Sequence, residues 1–313
     1  MASIKAFGAW LPARVVTNQE LAARLNCEAQ WILDVSGIEE RRYAALDESV
    51  AGMAVAAAGQ CLERAGMKPA DIGMFLVSSG SAERRFPGPA STVAQQLGAA
   101  GSPAIDLPIA SAGSLFGMAL ASSLAGTFGN ILVIAAEKMS AVVSREPLER
   151  GVVPLFGDGA GACLVGPGDG LARILDSVLH SDGTFADDLR LDFEAPLSMN
   201  GRSVILQASR KIPAAITALL ERQAKSAADV DVFLMHQANQ NLMDRVARAL
   251  EVEPARFHSN IRRYGNTSSA SMLIAASEWW QNPGPQPDGI ICFAAFGAGF
   301  HWGALLAQVE SPA

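Results

Sequence analysis

Hydrophobic and polar residues alternate along this chain with two periods. Apolar spacings of three and four predict helices from Ser49 to Ala65, Pro89 to Leu97, Ser111 to Ala125, Lys211 to Ala224, Asn241 to Leu250 and Ser271 to Trp280. Between them lie short apolar runs such as Met74 to Val77 and Val232 to Met235, which predict buried strands. Mixed sheets covered by helices follow from that alternation. From Leu107 to Ala136 no residue is charged, which mimics a membrane span. Pro108, Gly113, Gly117, Gly126, Gly129 and Asn130 divide this stretch into a buried helix and then a strand, so no membrane association is expected.

The pattern repeats at about half the chain length. Residues 61–80 lie over 219–238 without a gap, sharing Leu62/Leu220, Glu63/Glu221, Arg64/Arg222, Ala70/Ala228, Asp71/Asp229, Phe75/Phe233 and Leu76/Leu234. Residues 131–136 resemble 290–295, and 156–165 resemble 296–305, in the same order. Two α/β halves related by a pseudo-twofold axis are therefore expected, residues 1–166 and 171–313, joined through the glycine-rich run 166–170 into one compact unit.

With 313 residues, half of them hydrophobic, the chain can bury a large core. The net charge of −7 argues against a nucleic-acid partner. Four scattered cysteines, Cys27, Cys61, Cys163 and Cys292, offer neither a disulfide framework nor a metal site. The N-terminal residues lack a secretory pattern, so a cytoplasmic location is expected.

Candidate chemistry collects at the ends of predicted strands, where open α/β sheets place ligands. Ser111 stands near the start of an uncharged helix, whose dipole and free N–H groups favour a nucleophile and its oxyanion; a simple helix cap is the alternative. His236, one of only four histidines, follows a buried strand in the polar tetrapeptide His236–Asn239, either as a site residue or as a structural histidine. Asn266 lies in a loop before a helix, as a cap or as a side-chain donor. The segments Phe156–Gly159 and Phe296–Gly299 read as tight turns with close backbone approach.

Taken together, Gly265–Ser268, His236–Asn239, Phe156–Ala162, His180–Gly183 and Phe296–Gly303, with Leu11–Pro12, Trp31 and Gly37–Ile38, resemble the signatures of the ketoacyl-ACP synthase III family. The resemblance covers almost the whole chain. It implies a thiolase-like α/β fold, a five-layer αβαβα sandwich of two similar halves, usually in a homodimer. It implies an acyltransferase of fatty-acid or polyketide-type metabolism that takes its acyl group from acyl-CoA or an acyl carrier protein and needs no cofactor beyond that coenzyme A or phosphopantetheine carrier. His236 and Asn266 fall on two of the family's three catalytic positions. The third is cysteine in the family's Ala-Cys-Ala-Gly motif, and here it is Ser111 in Ala110–Gly113. Backbone N–H groups of Ser111 and Gly299 are expected to form the oxyanion hole. Trp31, Arg150 and Asn239 are expected to contact the acyl carrier, and Phe86 to reach across the dimer into the partner's acyl pocket or else to make an ordinary loop contact. Val35, Glu39 and Asn241 stand where the family often has arginine, which favours a carrier-protein donor over coenzyme A.

Serine changes the chemistry. A helix N-terminus can convert a thiol, with a reference pKa of about 8.5, into a thiolate, but a serine hydroxyl needs a general base, and His236 is the candidate. An oxyester is less electrophilic toward carbon than a thioester, so condensation should suffer more than transfer to oxygen or nitrogen. Three readings remain open: a serine acyltransferase or variant synthase, a condensing enzyme whose cysteine was exchanged to trap substrate, and a non-catalytic partner of an active paralogue. The pairs Arg41–Arg42, Arg84–Arg85, Arg262–Arg263 and Arg210–Lys211 are solvated faces or a basic rim for a carrier protein.

Overall fold

The computed structural model describes residues 2–282, 284 and 286–310. Thirteen strands form: β1 (Ala2–Trp10), β2 (Arg14–Thr17), β3 (Glu40–Tyr43), β4 (Ile72–Ser78), β5 (Ala104–Leu107), β6 (Asn130–Lys138), β7 (Asp158–Pro167), β8 (Ala172–Ser181), β9 (Leu189–Arg190), β10 (Ser198–Met199), β11 (Val232–Met235), β12 (Ile290–Gly297) and β13 (His301–Val309). The helices are α1 (Asn18–Leu25), α2 (Ala29–Ser36), α3 (Val50–Ala65), α4 (Pro89–Gln96), α5 (Gly113–Phe128), α6 (Met139–Val143), α7 (Gly201–Arg222), α8 (Gln240–Ala249), α9 (Ile261–Tyr264) and α10 (Ser271–Gln281).

Nine strands share one sheet in the order β11-β12-β13-β8-β1-β7-β6-β4-β5. Its two halves meet only where Ser3 and Ile4 of β1 pair with Arg173 and Ala172 of β8. On one side β4 is parallel to β6 and β6 antiparallel to β7; on the other β11 is parallel to β12 and β12 antiparallel to β13. The three repeated sequence segments thus occupy equivalent strands. Even the connection before β4 and β11 recurs. Each is a single 3₁₀ turn, closed where Asp71 accepts the Lys68 N–H at 2.8 Å and Asp229 accepts the Ser226 N–H at 2.7 Å.

Layering follows from the two-residue period of strands that are buried on both faces. Phe75, Val77, Leu132 and Ile134 point outward to α3 and α4, while Met74, Leu76, Ile131 and Val133 point inward. In the other half Phe233, Met235, Cys292 and Ala294 face α7 and α8, and Val232, Leu234, Ile291 and Phe293 point inward. Both inward faces close on α5 and α10, giving helix, sheet, helices, sheet, helix: the thiolase-like five-layer order. Among the described residues no helix is long and apolar enough to cross a membrane. The uncharged run becomes α5 and β6, as its glycines predict.

Two boundaries differ from the sequence reading. Helix α7 starts at Gly201, ten residues before Lys211, and carries Pro213 in its interior. A proline ordinarily marks a first helical turn, which displaced the expected start. Helix α5 starts at Gly113, because Ser111 has a left-handed backbone (φ 65°) and lies before it.

Candidate active site

The loop before α5 delivers Ser111 to the middle of the molecule. A left-handed conformation costs a non-glycine residue on the order of 1–2 kcal/mol, and it is held by the surrounding packing. Strand β12 presses on this loop: a Cβ on Gly297 would lie 2.1 Å from the Ala110 carbonyl and 3.0 Å from Ser111 Cβ, so only glycine fits. The cap of α5 is Ala112 and no side chain caps it, so the helix-cap reading of Ser111 is overturned.

His236 follows β11, whose last residue pairs with Ala294, and the His236 N–H donates to the Ala294 carbonyl at 2.8 Å. Its ring is buried, and burial lowers its pKa to about 4, so the imidazole is neutral at pH 7. Nδ1 lies 2.7 Å from Ser271 Oγ. Asn266 is clamped from both sides: its N–H donates to the Leu155 carbonyl at 2.8 Å, and its carbonyl accepts the Gly157 N–H at 3.0 Å. Its Oδ1 accepts the Ser268 N–H at 2.8 Å, so it caps no helix and turns its own loop instead. Gly157 allows this approach, since a Cβ there would lie 2.3 Å from the Tyr264 carbonyl.

Ser111, His236 and Asn266 line one cavity, whose other walls are mostly apolar, among them Leu155, Phe156, Leu189, Met199, Val204 and Phe296. Residues far apart in sequence are thus brought together. Ser111 Oγ and His236 share the cavity without a direct hydrogen bond, the looseness common in unliganded sites.

Other expected site residues are placed differently. Gly297, and not Gly299, is among the cavity's lining residues. The Ser111 N–H already donates to Ser268 Oγ at 3.1 Å, a partner the sequence reading missed. Asn239 lines the cavity, yet its Oδ1 caps α8 through the Asn241 N–H and its Nδ2 donates to the Val35 carbonyl at 2.8 Å. Trp31 and Arg150 meet each other, with the guanidinium 4.5 Å from the indole centroid. Phe86 is 86% exposed and lies outside the cavity of its own chain. The basic rim largely dissolves. Arg41 is fully buried, donating to the carbonyls of Val16 and Pro154 and to Asn18 Oδ1. Arg262 pairs with Glu39, Arg263 with Glu278 and Lys211 with Asp182.

The His180–Gly183 motif braces the site at one remove: Asp182 exchanges both backbone hydrogen bonds with Phe300, fixing the turn after Gly297. The sequence reading also missed Glu137. Fully buried at the end of β6, it accepts from Ser81 Oγ at 2.5 Å, Ser269 Oγ at 2.6 Å and the Gly80 N–H at 3.0 Å. A carboxylate closing the long uncharged run was the available signal. The cysteines are free; burial raises the Cys61 thiol to about 12 and pushes Cys163 and Cys292 up as well, so none of these three competes as a nucleophile. Among the described residues no cluster suits a metal.

A layered two-half sandwich in which a serine-bearing loop, a histidine and an asparagine converge on one cavity has the layout that the resemblance to thiolase-type condensing enzymes implies. Comparison with known proteins narrows the class. Residues 105–183 match the family model for 3-oxoacyl-[acyl-carrier-protein] synthase III, and residues 220–309 match that for its C-terminal part. The chain is 36% identical to the β-ketoacyl-[acyl-carrier-protein] synthase III of Geobacillus kaustophilus, over 97% of each chain. The crystal structure of 3-oxoacyl-[acyl-carrier-protein] synthase III from Aquifex aeolicus superposes with a TM-score of 0.94 at 32% identity, over 98% of this chain and 100% of that one. The priming β-ketosynthase of a polyketide biosynthetic pathway superposes at 0.93 with 30% identity, over 100% and 97%. The chain belongs to the 3-oxoacyl-ACP synthase III family, whose members are acyl-transferring, condensing enzymes.

Proposed function

We propose that this protein accepts an acyl group from a thioester onto Ser111 and passes it to an acceptor, with His236 as general base and Asn266 as a hydrogen-bond donor to the substrate. The observation that carries this reading is that all three side chains line one largely apolar cavity, on which Ser111 Oγ is committed to no other group among the described residues. Oγ attacks the thioester carbonyl, and its proton passes to His236 Nε2. The carbon–sulfur bond breaks, and the departing thiolate takes that proton back. The low pKa of His236 makes it a weak base at rest, and the developing oxyanion beside it stabilises its protonated form.

The donor is coenzyme A or the phosphopantetheine arm of a carrier protein, with no other cofactor. Two features weigh toward the carrier protein. Glu39 is engaged by Arg262, and the Asn241 amide is spent on the carbonyls of Asp34 and Val35, so those positions offer no free cation to a nucleotide phosphate. The stacked Trp31 and Arg150 remain as the element able to grip phosphate. The protein would act in the cytoplasm, in fatty-acid-like or polyketide-type metabolism, as a homodimer in which the exposed Phe86 finds its partner. Light scattering at micromolar concentration should give twice the 32.7 kDa chain mass.

Incubation with acyl-CoA and acyl carrier-protein donors, followed by intact-protein mass spectrometry, tests the reading. A stable acyl mass supports it. Bound but unreacted thioester points instead to a condensing enzyme disabled by the serine, and neither adduct nor binding points to a non-catalytic partner subunit.

A further inference from the structure

We propose that Ser271 is the positioning residue of His236: its hydroxyl oxygen accepts the Nδ1 proton and leaves Nε2 as the ring's free base in the cavity. Nothing in the Ser-rich run 267–271 distinguishes Ser271 in the sequence; proton accounting does so in the structure. A serine hydroxyl has one proton and two acceptor sites. Ser271 Oγ lies 3.1 Å from the Ser268 carbonyl, which can only accept, so the hydroxyl proton goes there. It lies 3.1 Å from the Gln237 N–H, which can only donate, and that uses one acceptor site. The remaining contact, 2.7 Å to His236 Nδ1, falls to the second acceptor site, so Nδ1 carries the hydrogen.

The opposite assignment would leave the Ser268 carbonyl without the Ser271 proton and place an Nε2 proton in a cavity with mostly apolar walls. Since burial keeps the ring neutral at pH 7, it holds a single proton, and the tautomer decides whether the base is available to Ser111. The third group of the relay is thus a neutral hydroxyl in place of a carboxylate. All its partners are buried: His236 is 3% exposed, Ser268 1% and Ser271 2%.

The consequence for rate rests on the reading that Ser111 is acylated, whereas the tautomer does not, and the experiment separates the two. Long-range proton–nitrogen NMR correlation of the unacylated protein at pH 7, with His236 assigned by its loss in His236→Gln, reads the tautomer directly. The expected result is a protonated Nδ1 and a bare Nε2. A protonated Nε2 overturns the inference whatever the acylation result. In the acylation assay Ser271→Ala should lower kcat roughly 10- to 100-fold, part of the 10²–10⁴ that general-base catalysis contributes, with KM unchanged. Ser271→Thr, which keeps the hydroxyl, should recover most of that loss and guards against misfolding of the alanine variant. Wild-type kcat in folded Ser271→Ala would also overturn the assignment. Absence of any acylation in the wild type, with the Nδ1 tautomer present, would refute the proposed function and leave the positioning role standing.

Discussion

The two central helices are approached by two serines that do opposite things. Ser111 precedes α5 and Ser268 precedes α10; both have left-handed backbone, with φ of 65° and 47°. They touch, the Ser111 N–H donating to Ser268 Oγ. Ser268 is engaged at three atoms: its N–H donates to Asn266 Oδ1, its Oγ accepts the Ser111 N–H and its carbonyl accepts from Ser271 Oγ. Ser111 keeps its hydroxyl free on a cavity. The same left-handed turn precedes both helices, and of the two hydroxyl oxygens the one without a hydrogen-bond partner among the described residues, Ser111 Oγ, lies on the cavity.

The same contrast holds one strand further out. Within 78–81, at the end of β4, the Ser79 and Ser81 hydroxyls and the Gly80 N–H turn toward the buried Glu137, while the equivalent segment 236–239 after β11 presents His236 and Asn239 to the cavity. On its outer edge Phe75 pairs with Ala104 in a full strand, whereas the outer edge of its counterpart Phe233 carries a single parallel bridge, to Phe257. One half thus brings Ser111 and its supports to the cavity, the other His236 and Asn266.

Restoring cysteine is the harshest way to disturb this division. Ser111→Cys should raise carbon–carbon condensation with a malonyl donor while leaving or lowering transfer to oxygen and nitrogen acceptors, measured by product analysis with each acceptor. No gain with any malonyl donor would mean that the cavity no longer serves the family's reaction. Next in size, His236→Ala should cost the serine form about 10²–10⁴ in acylation rate, yet spare part of the acylation of the cysteine form, whose thiolate the helix dipole still promotes. Equal losses in both backgrounds, followed by stopped-flow acylation, would assign His236 to binding alone.

Acid should expose the cost of burying that histidine. Its folded pKa of about 4 lies below the unfolded value of 6.5, so the unfolded chain binds more protons between them. The stabilisation is therefore complete above pH 6.5 and is lost as pH falls toward 4. Urea titrations at pH 7 and pH 4.5 should show the wild type losing on the order of 2–3 kcal/mol more than His236→Gln over that interval. An equal loss would show that the ring is not buried neutral. Smallest of all, Ser268→Ala should cost about 1 kcal/mol of stability, for one buried hydrogen bond, and leave acylation within about tenfold of wild type. Loss as deep as that expected for His236→Ala would contradict the contrast between the two serines.

Much of this arrangement is legible in the sequence, for identifiable reasons. Val232–Met235 reads as a strand with its observed bounds because both its faces are apolar and polar residues end it. The repeat predicts the order of strands because each copy buries the same positions. The start of α7 is not legible, since its first turns line a cavity and its proline sits inside. Ser111, His236 and Asn266 could be named from strand ends and family signatures, but their supports could not. Ser268, Ser271 and Glu137 act through bonds spanning up to 157 residues, and a run of small hydroxyl residues before a helix does not say which hydroxyl faces which partner. Nor does the sequence distinguish Gly297, which lines the cavity, from Gly299, because only the packing of β12 on Ala110 separates them.

The central claim is that Ser111 itself carries the acyl group. Brief reaction with an acyl carrier-protein thioester, acid quench and peptide mapping by mass spectrometry, run beside Ser111→Ala, tests it most directly. The account predicts one acyl group, as an oxyester, on Ser111 of the wild type and none on the variant. An acyl mass that persists in Ser111→Ala, or that maps to Ser268 or a cysteine, would contradict it.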